Sequence, residues 1–278
     1  MSTLNAQAHD FPGIDYVGTG TGPAVLFVPG SFSTTAAWAG VQKSMPPRFR
    51  MATTSLCGYG RTAESRRLDD CAMHHETSVI AEAARRIGNP VHLVGHSFGG
   101  TVALAAALAG VVDVISLTLF EPNPMRVARD LGAGQLVDEA YNMSQQFEAA
   151  HFAGDTDAAG CIIDYWGKTG DFAALPPAVA DYCRKTAFAN VLDWRTAFSF
   201  HATAADLRRL ACPTLVVRGG AAIPLMVQMT QALVENLPNA RTAVVDGAGH
   251  FLINTHERQS ANLLTGFIDK AESPARAA

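Results

Sequence analysis

The sequence predicts an α/β protein, a mostly parallel, twisted sheet with helices on both faces and a helical segment inserted into it. Three observations carry that prediction. Short apolar runs alternate with longer runs of helical character, the pattern of strands joined by crossover helices. The short runs end in turns rich in small residues, at Pro29-Gly30, Gly58-Tyr59-Gly60, Gly95-His96-Ser97-Phe98-Gly99-Gly100 and Gly247-Ala248-Gly249. Between Met125 and Leu207 no run of the strand type occurs, and the apolar residues fall at helical spacing.

Taken in order, Ala24-Val25-Leu26-Phe27-Val28 is too short for a helix, is closed by Pro29-Gly30, and leads into a small-residue loop from Ser31 to Ala37. Residues 50–56 form the next strand, followed by Cys57-Gly58-Tyr59-Gly60-Arg61-Thr62. A helix is expected over 74–87, then a strand from Val91, the G-x-S-x-G-G turn, and an alanine-rich helix over 98–109. The strand Ile115-Ser116-Leu117-Thr118-Leu119-Phe120 ends at Glu121-Pro122. Beyond the insertion come a strand at Thr214-Leu215-Val216-Val217, a helix over 225–237, a strand over 240–245 and a helix over 256–270, with 271–278 as a frayed tail. The division is therefore a core of 1–124 and 208–278 and a helical lid of 125–207.

Within the lid, Leu136, Val137, Ala140, Met143 and Phe147, then Val179, Tyr182 and Cys183, mark inward faces. Gly132, Gly134, Gly154, Gly160, Gly167, Gly170 and Pro176-Pro177 break it into several short helices. It is rich in aromatic residues, Phe147, Phe152, Tyr165, Trp166, Phe172, Phe188, Trp194, Phe198 and Phe200. Most are expected to pack the lid onto the core and a few to face a cleft, which points to an apolar or aromatic substrate.

The turn around Ser97 carries the chemistry. A strand feeding a G-x-S-x-G turn that opens a helix is a nucleophile elbow, so tight that small residues are needed at Gly95 and Gly99. The N–H of Phe98, at the helix start, points where negative charge develops on an attacked carbonyl. A serine hydroxyl does not ionise unaided near neutral pH, so a base is required, and His250 in the loop Asp246-Gly247-Ala248-Gly249-His250 has the residue type and chain order for it.

These features together resemble the α/β-hydrolase family, in its serine hydrolase branch with a helical lid. The resemblance rests on the elbow, the Pro29-Gly30 loop, the Gly58-Tyr59-Gly60 turn, the Gly249-His250 loop and the interrupted strand order, and spans nearly the whole core. It implies oxyanion donors at the N–H groups of Ser31 and Phe98, with Phe32 the alternative to Ser31, and a lid inserted after the family's sixth strand. Pro29 stands where the family usually has histidine, and Ser55 or Leu56 where it has an aspartate. His96 is commonly histidine there, points away from the acyl site, and is assigned to packing. Phe32, Trp166 and Trp194 are the candidate substrate-binding residues. A serine rather than an aspartate nucleophile argues against the dehalogenase and epoxide-hydrolase branches.

The third member of the triad departs from the pattern. Most members carry an aspartate just after the strand that begins at Cys212-Pro213, yet no carboxylate occurs between Val217 and Glu235. Two candidates remain for the group that orients the imidazole. Glu121 ends the strand beside the elbow strand, a position from which some members take their acid. Asp246 lies four residues before His250, where fixing its own loop is the other reading. Glu121 is favoured, because site chemistry in parallel sheets gathers beyond the carboxyl ends of strands.

The expected reaction is hydrolysis of a carboxylic ester or lactone through an acyl-enzyme. C–C bond hydrolysis, thioester hydrolysis and cofactor-free perhydrolysis use similar parts, and a non-catalytic ligand-binding protein is the alternative from another class. Net charge is −4 with 17% charged residues and no basic run, so neither nucleic acid nor a membrane surface is the expected partner. The pairs Arg66-Arg67, Arg85-Arg86 and Arg208-Arg209 read as solvated helix faces and ends. The first ten residues lack the features of a secretory signal, and the longest apolar stretch, Val102 to Val112, is too short to span a membrane. Five cysteines without C-x-x-C spacing indicate reduced thiols and a cytoplasmic protein. No histidine has a partner at metal-ligand spacing and no phosphate-binding loop occurs, so no metal and no cofactor are expected. The partner is a small apolar molecule, and the chain a monomer or homodimer.

Overall fold

A computed structural model describes residues 13–273. The expectations for the first ten residues and for the end of the tail lie outside them. Seven strands, β1 (Tyr16–Thr19), β2 (Ala24–Val28), β3 (Arg50–Thr54), β4 (Val91–His96), β5 (Val114–Phe120), β6 (Thr214–Gly219) and β7 (Ala240–Val245), form one sheet in the order β1-β3-β2-β4-β5-β6-β7. Every neighbouring pair is parallel except β1 with β3. β1 escapes sequence reasoning because it is four residues long, lies on the sheet edge and buries none of its residues fully.

The central strands are buried on both faces, which explains why β2 reads as an unbroken apolar run. Its side chains still alternate. Leu26 and Val28 join the layer formed with Val79 and Ile80 of helix His74–Ile87, Val102 of helix Phe98–Ala109 and Met226 of helix Pro224–Asn236. Val25 and Phe27 join the opposite layer, with Val41 of helix Ala39–Ser44 and Leu264 and Ile268 of helix Glu257–Glu272. The turn Thr35–Trp38 occupies the end of the segment expected as a small-residue loop, and helix Ala39–Ser44 follows directly after it. Trp38 is the reason, since its ring packs against Phe27 at 5.2 Å and Phe120 at 5.6 Å. The last helix runs to Glu272, two residues into the expected tail.

Between β5 and β6 the chain forms the helices Met125–Ala128, Gly134–Phe152, Ala159–Trp166, Pro177–Lys185, Ala187–Ser199 and Ala204–Arg208. This insertion follows β5, the fifth strand among the described residues. Its last helix, capped reciprocally by Thr203 and Asp206, crosses the anticipated boundary at 207/208. Val137, Ala140 and Phe147 are buried as their spacing requires, but Val179, Phe152 and Phe188 are exposed. Gly160 lies inside a helix rather than ending one. The insertion faces the carboxyl edge of β2, β4 and β5, and a cleft opens between them.

Candidate active site

Ser97 follows β4 with φ 55° and ψ −128°, a left-handed conformation that a serine holds only where its surroundings enforce it. The enforcement is visible on both sides. The Ser97 N–H donates to the Phe120 carbonyl of β5 at 2.9 Å, and its own carbonyl accepts from Gly100 and Thr101 in the first turn of helix Phe98–Ala109. A Cβ at Gly99 would collide with the Pro29 carbonyl, and one at Gly95 with the backbone of Gly99 and Gly100. The helix begins at Phe98, so that N–H is among the first-turn donors without an intrahelical acceptor.

The Ser97 Oγ lies 2.9 Å from Nε2 of His250, and Nδ1 of His250 lies 2.9 Å from Oε2 of Glu121. All three residues are buried. A carboxylate can only accept, which puts the ring proton on Nδ1 and leaves Nε2 to accept from the Ser97 hydroxyl. Glu121 sits just past β5 with φ 45°, and its other oxygen accepts from the Gly219 N–H at 2.7 Å. That donor ends β6, the strand after which the expected aspartate is missing, so the position contributes a backbone donor to the carboxylate instead of a side chain. Of the two candidate acids, Glu121 touches the imidazole. Asp246 is exposed in the turn after β7.

The imidazole is held between two other rings. Below it lies His96, 5.1 Å away, whose Nε2–H donates to the His250 carbonyl at 2.9 Å. Burial, reinforced by the neighbouring His250, lowers the His96 pKa to about 3, so this ring is neutral. Packing is the role expected of it, yet it also reaches the cleft wall. Above lies Trp166 of the insertion, stacked on His250 at 4.7 Å and 22°, and Trp194 stacks in turn on Trp166 at 6.0 Å.

The cleft encloses about 590 Å³ including its open mouth. Ser97, His250, Ser31, Phe32 and Phe98 line its floor, and Ile162, Ile163, Trp166 and Trp194 its roof. Every residue singled out from the sequence is thus at the cleft except Glu121, behind His250, and the discarded Asp246. A Cβ at Gly30 would stand 2.9 Å from the Ser97 Cβ, so the loop after β2 lies directly against the serine. Phe32 in this loop has φ 56°.

One group of site residues has no counterpart in the sequence reading. Asp193, in helix Ala187–Ser199, accepts from Ser31 Oγ at 2.5 Å, Tyr59 Oη at 2.7 Å and Arg66 Nη1 at 2.7 Å. Arg66 also pairs with Glu64 at 2.8 Å and Glu76 at 2.9 Å. Arg66 is therefore no solvated helix residue but a buried cation. Burial opposes its charge, and Glu76 and Asp193 outweigh that opposition and hold it protonated. Burial pushes the Asp193 carboxyl upward, with Arg66, Ser31 and Tyr59 working the other way. The available signal was an aspartate between apolar residues in Val191-Leu192-Asp193-Trp194, on a helix with few solvent-facing positions.

The model of the alpha/beta hydrolase family matches residues 25–262, and the chain belongs to that family of enzymes. Over 272 residues it is 24% identical to monoacylglycerol lipase abhd6-B of Xenopus laevis, covering 91% of this chain and 77% of that one. Over 289 residues it is 25% identical to fluoroacetate dehalogenase of a Burkholderia species, covering 94% and 91%. Among solved structures, a thermophilic esterase from Thermogutta terrifontis shares the fold with a TM-score of 0.70 and 19% identity, covering 94% of each chain. No helix among the described residues is long and apolar enough to cross a membrane.

Proposed function

We propose that the protein is a serine hydrolase that cleaves a carboxylic ester or lactone bearing an apolar or aromatic group, through an acyl-enzyme. The observation that carries this reading is the unbroken hydrogen-bond chain Ser97–His250–Glu121 ending at the floor of a cleft with an aromatic roof. His250 takes the Ser97 proton on Nε2 as Oγ attacks the carbonyl carbon, and Glu121 holds the Nδ1–H and offsets the charge of the imidazolium. The N–H groups of Phe98 and Ser31, or of Phe32 in place of Ser31, receive the oxyanion. His250 returns the proton to the leaving alcohol, then activates water against the acyl-enzyme. Residues 125–207 act as a lid, in which Trp166 and Trp194, with Phe32 below, contact the apolar part of the substrate.

The likeness to a fluoroacetate dehalogenase does not favour that substrate here. Serine occupies the nucleophile position, and among the described residues no lysine or arginine lines the cleft to pair with a small carboxylate. The test is labelling with a serine-directed phosphonate, followed by turnover of aryl esters and of short polar esters. Stoichiometric labelling lost in Ser97→Ala, with aryl esters preferred, is the expected result. No labelling would sink the serine mechanism, and a strong preference for short polar esters would sink the substrate class.

A further inference from the structure

The floor and the roof of the cleft are joined by one side-chain bond that the hydrolytic mechanism does not use. Ser31 belongs to the loop after β2 that packs against Ser97, and its hydroxyl donates to Asp193 of the insertion at 2.5 Å. Asp193 is itself fixed from the core side. Tyr59 Oη and Arg66 Nη1 reach the two oxygens of its carboxylate, and Arg66 is locked in turn by Glu64, Glu76 and the Cys57 carbonyl at 3.0 Å. Tyr59 also packs edge-on against Phe32, at 6.5 Å. The loop needs such restraint, because Phe32 lies in the left-handed region at φ 56° without being glycine.

We propose that Asp193 is a positioning residue: through the Ser31 hydroxyl it holds the loop after β2 against Ser97, so that the oxyanion-binding arrangement is complete only with helix Ala187–Ser199 seated. This rests on the serine-hydrolase reading and adds a dependence of that chemistry on the insertion. The insertion then does two jobs. Its aromatic side chains contact substrate, and its one carboxylate at the cleft sets the geometry of a donor it does not itself supply. Asp193 never touches the reacting atoms, and its effect falls on the transition state, where the oxyanion exists, rather than on the uncharged ester.

The test uses Ser31→Ala, which removes the hydroxyl and leaves the Arg66 cluster intact, with Asp193→Asn, the double variant and Ser31→Thr. Each is measured for kcat and KM on an aryl ester and for inhibition by an aryl boronic acid, whose tetrahedral serine adduct mimics the oxyanion. Ser31→Ala is expected to lower kcat about 10-fold or more, less than the roughly 10²–10³-fold loss of an oxyanion donor itself, with KM within about twofold and boronate affinity falling in step with kcat. Ser31→Thr, which keeps a hydroxyl, recovers most of the rate. Asp193→Asn gives a similar loss, and the double variant is no worse than the worse single one, because both act through one bond. If Asp193→Asn does not fold, the Ser31 pair alone decides. Unchanged kcat in Ser31→Ala, no recovery in Ser31→Thr, or single losses that multiply would overturn the proposal while leaving Ser97 chemistry standing. Turnover surviving Ser97→Ala would overturn the hydrolase reading and this proposal with it.

Discussion

The two halves of the cleft are built by different means. At the sheet edge the reactive groups are placed by backbone. Ser97, Glu121 and Phe32 all hold left-handed φ values, Gly95 and Gly99 permit contacts that no Cβ would, and the Gly219 N–H fixes Glu121. In the insertion, Trp166, Trp194 and Asp193 are placed by side-chain packing on two helices of ordinary geometry. Backbone devices leave signatures at fixed spacings in the chain, and packing does not. The contrast also predicts where function is brittle: changes at the sheet edge should abolish turnover, and changes in the insertion should tune it.

The largest effect expected is at the nucleophile. Ser97→Ala should lower kcat by at least about 10⁴-fold with substrate affinity retained, as seen by equilibrium binding of an uncleaved substrate analogue. Glu121→Gln follows. An amide can present its NH₂ group to the imidazole and favour the wrong tautomer, so kcat should fall about 10³- to 10⁴-fold. Asp246→Asn, at an exposed turn, should stay within about twofold in the same aryl-ester assay. A near-wild-type Glu121→Gln would remove the third member of the chain from the mechanism.

Legibility in the sequence divides along the same line. Helix His74–Ile87 falls where it is expected and buries one face on the sheet, and helix Phe98–Ala109 falls where the alanine-rich run after the elbow puts it, buried on all sides from Phe98 to Ala106. Ser97, His250 and Glu121 were recognisable as a set because tight turns and strand ends confine the residue types that fit there. The choice between Glu121 and Asp246 was not decidable from spacing alone. It depends on β5 lying between β4 and β6 in the sheet, a fact of strand order. Arg66 read as solvated because its pair looked like any surface pair, and its three carboxylate partners lie 2, 10 and 127 positions away in the chain. Phe152 and Phe188 read as packing or cleft residues, yet they pair with each other at 6.4 Å on the surface.

A smaller effect is expected from the roof. Trp166 faces the imidazole at 4.7 Å, and an aromatic ring over a developing cation contributes about 0.5–2 kcal/mol. Trp166→Ala should therefore lower kcat about 2- to 30-fold, and Trp166→Phe should keep part of that contribution. If the two variants lost rate equally, the ring would be acting as a wall rather than through its π face.

The smallest effect concerns stability rather than rate, and it asks whether the buried cluster couples the two halves electrostatically. Burial pushes the Glu76 carboxyl up to about 7, with Arg66 opposing and Asp193 reinforcing the shift. Arg66, Asp193, Glu64 and the Cys57 thiol are the titratable groups around it. Its proton is bound more tightly in the folded than in the unfolded chain, whose carboxyl titrates near the ordinary value of 4.5. The stabilisation that follows is fully present below about pH 4.5 and is lost as pH rises through about 7. Glu76→Gln retains an acceptor for the Cys57 N–H and cannot titrate. Its melting temperature relative to the wild type should therefore rise between pH 5 and pH 8, by about 2–4 °C for each kcal/mol involved. A difference that stays constant across that window would mean that Glu76 remains ionised beside Arg66, and that the cluster holds Asp193 by fixed charges alone.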